Sequence, residues 1–297
     1  MTQNRRMAAT RSATFRTAPW YSWTTAFPRA LITPRWANAY VRRLGVRRLK
    51  DLSTHSWKRG ETAFIMGSGP SINELSEQQW QVIGSGTTVG VNWWTEHDFV
   101  PDLYVFENLS ERHRQMLIAR SDDYMNTPMI LKQFLTNFSP AVHRQRMEQL
   151  ALLPQDVRSR IHLCSDLLIP GRTEKELRRA YRNVERLGLF QPRERFQWVV
   201  KRTSSLTFLI ALCLRAGFEQ IVLCGVDLDR PGTFYEPEPA VVSGRSLHET
   251  QDPSVKVLPI VEVVRLLDEE VLKGRSARLF VASRRSLLAN HLPVYGW

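Results

Sequence analysis

From Thr62 onward, short apolar runs alternate with segments of helical period, and this alternation constrains the fold more than any other feature of the chain. Such a pattern predicts parallel strands joined by crossover helices. Strands are expected over Ala63–Met66, Thr88–Val91, Leu103–Phe106, Met129–Lys132, Ile161–Cys164, Gln220–Cys224 and Arg278–Ala282. Helices fit residues 72–82, 110–120, 141–152, 174–186, 205–216 and 255–272. The fold class is therefore α/β, a Rossmann-like, mostly parallel sheet flanked by helices. One interval breaks the rhythm. Leu228–His248 holds Pro231, Gly232, Pro237 and Pro239 and no helical period, as lids and binding loops often do.

The charge of +12 is unevenly placed. Residues 1–60 hold thirteen of the 41 lysines and arginines and one acid, Asp51, so the remaining 28 bases meet 28 acids. The body from residue 61 to 297 is close to neutral, which argues against a nucleic-acid-binding domain. The first sixty residues read instead as a basic arm. Trp20, Tyr21, Trp23, Phe27, Leu31, Ile32 and Trp36 alternate there with Arg16, Arg29, Arg35, Arg42 and Arg43. That mixture suits an anionic membrane surface, and equally suits aromatics that pack onto the domain. Its Arg, Ser and Thr content also resembles an organellar transit peptide. Cys164, Cys213 and Cys224 each lie in or beside an apolar run and read as buried small hydrophobes in a reducing compartment. No stretch approaches the length of a membrane span, and no secretory signal is evident.

Several motifs fall at strand ends. Gly67-Ser68-Gly69-Pro70-Ser71 follows the first strand, where glycines admit a ligand to the backbone and a helix N-terminus offers N–H groups to phosphate. Ser71 and Glu74 have capping-box spacing. The motif lacks the Gly-Lys-Ser/Thr of a Walker loop and the third glycine of a dinucleotide fingerprint. Asn92 ends the second strand, Glu107-Asn108 the third, and Lys201-Arg202-Thr203-Ser204-Ser205 opens a helix. Gly225-Val226-Asp227-Leu228-Asp229 closes the strongest strand, with an Asp-x-Asp of the kind that holds a divalent metal on a nucleotide diphosphate. His248 ends the irregular interval, where an imidazole could act as a general base.

The order of these motifs, completed by Ser286-Leu287-Leu288-Ala289-Asn290, resembles glycosyltransferase family 42, the bacterial sialyltransferases that use CMP-sialic acid. The likeness spans about residues 62–291, is poor over 110–195, and leaves residues 1–60 without a counterpart. It implies a GT-A-variant-like fold with a lid over about 228–248. It implies donor binding by Gly67, Ser68, Gly69, Pro70, Ser71, Asn92, Asn108, Thr203, Ser204, Ser205, Gly225 and Asp227. It further implies His248 as general base, with Tyr235 and Lys201 or Arg202 on the leaving phosphate. Three positions depart from the family: Ser68 stands for an asparagine, Lys201 for an arginine and Asp229 for a tyrosine.

The function implied is transfer of sialic acid, or a related nonulosonate or Kdo-type sugar, from a CMP-sugar to a glycan or lipid-linked saccharide with inversion. No metal or other cofactor is expected, because a monophosphate leaving group gives a metal little to bridge. The expected setting is cytoplasmic, peripheral on the inner face of the cytoplasmic membrane through residues 1–60, with a homo-oligomer and no nucleic-acid partner. Two alternatives stand beside this reading. One is a metal-dependent nucleotide-diphosphate-sugar transferase using Asp227 and Asp229, the other a non-catalytic accessory protein on the same fold.

Overall fold

The computed structural model describes residues 41–107, 109–132, 140–202, 204–229, 232–235 and 258–297, without the side chains of 140–144. In chain order its strands are β1 (Arg47–Arg48), β2 (Thr62–Met66), β3 (Thr87–Val91), β4 (Leu103–Phe106), β5 (Met129–Leu131), β6 (Ile161–Leu163), β7 (Ser165–Leu168), β8 (Trp198–Lys201), β9 (Gln220–Cys224) and β10 (Arg278–Val281). The helices are α1 (Glu77–Ser85), α2 (Glu111–Ala119), α3 (Pro140–Ala151), α4 (Gln155–Ser159), α5 (Glu174–Arg186), α6 (Ser205–Ala216) and α7 (Ile260–Leu267). Eight strands form one wholly parallel sheet in the order β1-β6-β5-β4-β3-β2-β9-β10. This is the α/β architecture that the alternation predicts. The short β7 and β8 pair with each other in a second, parallel sheet.

Successive side chains of a strand face opposite sides of a sheet, and β2 divides accordingly. Ala63 and Ile65 join the core under α5, α6 and α7; Phe64 and Met66 join the core under α1 to α4. Helices thus cover both faces, which is why the central strands read as unbroken apolar runs. Helix α6 is buried from Leu206 to Ala216, as a helix apolar all round must be. Ser204 caps its start by accepting from the Thr207 N–H, and Gly217, at φ +78°, ends it in the left-handed conformation.

Each expected strand is present, whereas β1, β7 and β8 have no counterpart in the sequence reading. β1 is two arginines, and the short apolar runs Leu167-Leu168 and Trp198-Val199-Val200 are each broken by a charge, Asp166 or Lys201. The helix start also differs. Pro70–Glu74 is a 3-10 turn whose N-cap, Gly69, makes no side-chain cap. The capping box forms between Ser76 and Gln79 and opens α1 there. Two pairs share the required spacing, and the Ser71 N–H is taken by a tertiary partner, the Asp227 carboxylate. The helix expected over 255–272 is α7 followed by a π-turn at Asp268–Leu272, with 255–257 outside the described residues.

Residues 41–60, which their charge assigns to the arm, are part of the folded sheet and core. Leu44, Val46, Leu49, Leu52 and Trp57 are buried, and β1 extends the sheet beyond β6. The Trp57 ring lies 5.7 Å from that of Phe218. Lys58 Nζ donates to Gly217 O at 2.7 Å, and Arg59 Nη2 to Asp102 Oδ2 at 2.6 Å. Basic side chains carry apolar stems, so a cationic stretch is compatible with core packing. Residues 1–40, with the aromatics from Trp20 to Trp36, lie outside the described residues. Among the described residues no helix is long and apolar enough to cross a membrane. The three cysteines are free and buried.

If residues 41–60 belong to the core, Trp57→Ala should lower the unfolding free energy by about 3–5 kcal/mol in urea titration. A change within about 0.5 kcal/mol would mean that this segment packs only peripherally.

Candidate functional site

The strand order reverses between β2 and β9, since the chain runs outward from β2 to β6 before returning to β9 and β10. Open α/β sheets hold ligands outside the carboxyl ends at such a reversal. Here two turns meet, Gly67–Ser71 and Gly225–Asp227. The Gly67 N–H donates to Cys224 O at 2.7 Å and the Gly69 N–H to Gly225 O at 2.8 Å. A β-carbon on Gly67 would stand 2.5 Å from Gly225 O; one on Gly225, at φ +62°, would stand 2.5 Å from Ile72 Cγ1. Glycine is needed at these two positions for the close approach of two backbones.

Asp227 is buried, and its Oδ2 accepts the Ser71 N–H at 3.0 Å. The Ile72 N–H donates to Gly69 O, so the N–H groups expected to face a phosphate are largely used within the protein. Of the turn's N–H groups, that of Ser68 alone makes no bond to another described residue. Asp227 Oδ1 and Asp229 Oδ1 are buried without hydrogen-bond partners among the described residues. Ser286 Oγ donates to Val226 O at 2.5 Å and the Leu287 N–H to Asp227 O at 3.0 Å. The Ser286–Asn290 segment therefore clasps the exit of β9 from behind.

Beside these turns, Asn92 directly follows β3 and opens a 3-10 turn, with φ +53°. Its carbonyl accepts the Tyr104 hydroxyl, which also pairs with His113 Nε2. Trp94 stacks on His97 at 4.5 Å and meets Phe234 at 5.3 Å. The Phe234 N–H donates to Ser68 O at 3.0 Å, and Asn73 Nδ2 to Phe234 O at 3.0 Å. These bonds bring Tyr235 to the same edge, its ring 6.3 Å from that of Trp93.

A buried ionic cluster lies beneath the ends of β4, β5 and β8. Lys132, fully enclosed, donates to Glu107 Oε2 at 2.6 Å and to Ser205 Oγ at the start of α6. Lys201 Nζ stands 3.7 Å from Glu107 Oε2 and 3.7 Å from Asp166 Oδ2. Burial alone would raise the Glu107 carboxyl, but Lys132 and then Lys201 outweigh it and hold the group at about 2. Burial, followed by the like charge of Lys201, lowers Lys132 to about 8. Arg202 turns elsewhere, donating to Gly171 O near Tyr181 and Glu176, and burial lowers its guanidinium.

The structure thus brings together Gly67, Ser68, Gly69, Pro70, Ser71, Gly225 and Asp227, with Tyr235 and Asn92 adjoining them. Lys201 and Ser205 meet one layer below through Glu107 and Lys132, and Ser204 caps α6. Arg202 is not in this group. Asn108, Thr203 and His248 lie outside the described residues. Sequence reasoning missed Lys132, Asp166, Tyr104 and His113. Lys132 carried a usable signal, a cation directly after the apolar Met129–Leu131 run at a strand's carboxyl end. A cavity of about 300 Å³ bounded by Arg47, Arg160 and His162 lies at the other edge of the sheet, by the amino ends of β5 and β6.

No family model matches the chain, and no curated protein matches it. Among solved structures it is similar to a crystal structure of a variant of the sialyltransferase CST-II in complex with CMP. Sequence identity is 14%, the match covers 79% of this chain and 86% of that one, and the TM-score is 0.42.

The Glu107 carboxyl lies below the free-glutamate value of about 4.3. It therefore contributes stability that is complete above that value and is lost as pH falls toward about 2. Denaturant titrations between pH 5 and about 2 should show a shallower loss for Glu107→Gln than for the parent. At neutral pH the variant should be less stable by about 1–3 kcal/mol, because both lysines lose their shared acceptor. Parallel acid profiles would show that Glu107 does not carry the coupling.

Proposed function

We propose that this chain is a glycosyltransferase that moves sialic acid, or a related nonulosonate or Kdo-type sugar, from a CMP-sugar to a glycan or lipid-linked saccharide with inversion. The observation that supports the reading is the bond from the Phe234 N–H to Ser68 O. It ties the head of the long irregular interval to the glycine turn at the strand reversal, as a lid over a donor site requires. Asn92 and Tyr235 adjoin the same edge.

In this reading Ser68 and Asn92 contact the donor nucleotide, and Tyr235 donates its hydroxyl to the departing phosphate. Lys201 supplies positive charge from beneath, since Arg202 is bonded to Gly171 O. His248 takes the proton of the acceptor hydroxyl as it attacks the anomeric carbon, the bond to CMP breaks, and the leaving phosphate carries the electron pair away. The proposal extends to the basic, aromatic-bearing residues 1–40 holding a cytoplasmic homo-oligomer against an anionic membrane face, where a lipid-linked acceptor lies.

A second reading is favoured by the buried Oδ1 atoms of Asp227 and Asp229, which have no hydrogen-bond partner among the described residues. It makes the chain a metal-dependent transferase of nucleotide-diphosphate sugars.

Thermal-shift titration separates the two. CMP should raise Tm with or without chelator, and UDP and GDP much less; stabilisation by UDP that chelator abolishes would favour the metal-dependent reading. Equal shifts with every nucleotide, or none, would count against a cytidine site.

Replacement of His248 by alanine should lower transfer about a hundredfold or more, with CMP affinity nearly unchanged. The parent's rate should rise with pH as the imidazole loses its proton, and the variant should lack that limb. Full activity in the variant would remove His248 from the mechanism.

A further inference from the structure

Asn92 is one of two non-glycine residues with positive φ among the described residues, the other being Leu228. Asparagine tolerates this region better than most residues, yet something must select it. The selecting contact comes from the neighbouring strand. Tyr104 lies in β4, opposite Gly90 of β3, and is completely buried. Its hydroxyl reaches the Asn92 carbonyl and also meets Nε2 of His113, a buried residue in the first turn of α2.

The Asn92 carbonyl sets the proton roles along this chain of contacts. The Asn92 carbonyl can only accept, so the phenol gives it its single hydrogen, and His113 Nε2–H donates to the phenol oxygen. Burial raises the Tyr104 hydroxyl well above its ordinary value, so the hydrogen stays on the phenol at neutral pH. The backbone of Asn92 is therefore gripped from below. Its side chain is only half-buried and makes no hydrogen bond to another described residue. A change of φ at Asn92 would swing that side chain to a different direction at the carboxyl edge of the sheet.

We infer that Tyr104 and His113 are positioning residues: they hold Asn92 in its left-handed conformation and thereby set affinity for the cytidine monophosphate part of the donor. The inference rests on the proposed reading of Asn92 as a donor contact. It adds two buried residues that would act on the ligand without touching it.

The test is a double-mutant cycle in the full-length protein, with CMP affinity by calorimetry and the Asn92 H^N–Hα coupling by selectively labelled NMR. Tyr104→Phe and His113→Leu should each weaken CMP about tenfold. His113→Gln, which keeps a donor near the Nε2 position, should stay within about threefold of the parent. In an Asn92→Gly background, where the side chain is gone and positive φ is freely allowed, Tyr104→Phe should cost less than about twofold. The Asn92 coupling should change in Tyr104→Phe. Equal losses in both backgrounds would overturn the inference, as would an unchanged coupling. If the parent binds no CMP, the cytidine reading fails, and the coupling alone decides whether Tyr104 holds Asn92.

Discussion

Two parallel strands, β2 and β9, leave the sheet side by side, and their turns must pass within backbone contact of each other. The geometry forbids a side chain at Gly67 and Gly225, and the Asp227 carboxylate locks the contact by taking the Ser71 N–H. Much of the carboxyl edge hangs from this junction. Ser68 O anchors Phe234, while Val226 O and Asp227 O anchor Ser286 and Leu287. A charged acceptor on a backbone N–H is stronger than a neutral one, and its burial protects it from competing water. The same bond changes what the glycine turn can offer a ligand, because an internal carboxylate already holds the N–H that a phosphate would seek.

The second layer is ionic. Lys132, Lys201, Glu107 and Asp166 sit at or near the ends of β4, β5, β7 and β8, two cations against two anions. Burying such charges stabilises a fold little, since desolvation offsets much of the attraction, whereas removing one partner strands the others. Apolar residues would fill the space as well. Under the proposed function Lys201 holds positive charge beneath the leaving phosphate, and Glu107 ties it to Lys132.

Much of the frame was legible in the residues. Buried strands announce themselves by apolar runs such as Phe64-Ile65-Met66 and Ile221-Val222-Leu223, and Gly217 marks the end of α6. The basic segment 41–60 misled, because charge count hides what Leu49 and Trp57 do. The Ser71–Glu74 pair misled as well, because a local capping pattern cannot report that Asp227, far along the chain, competes for the same N–H. Lys132 and Asp166 stayed hidden because a single charge beside an apolar run carries no sign of its partners.

The chain by itself therefore determined the class of fold, the positions of its central strands and the glycine turns that follow β2 and β9. Period and glycine placement are local properties, and neighbouring residues suffice to encode them. The tertiary structure alone decided which clusters meet: that Asp227 faces the glycine turn, that Lys201 turns to Glu107 while Arg202 turns away, and that Tyr104 reaches Asn92. Those choices depend on which strands lie side by side, and in a parallel sheet neighbouring strands come from distant parts of the sequence.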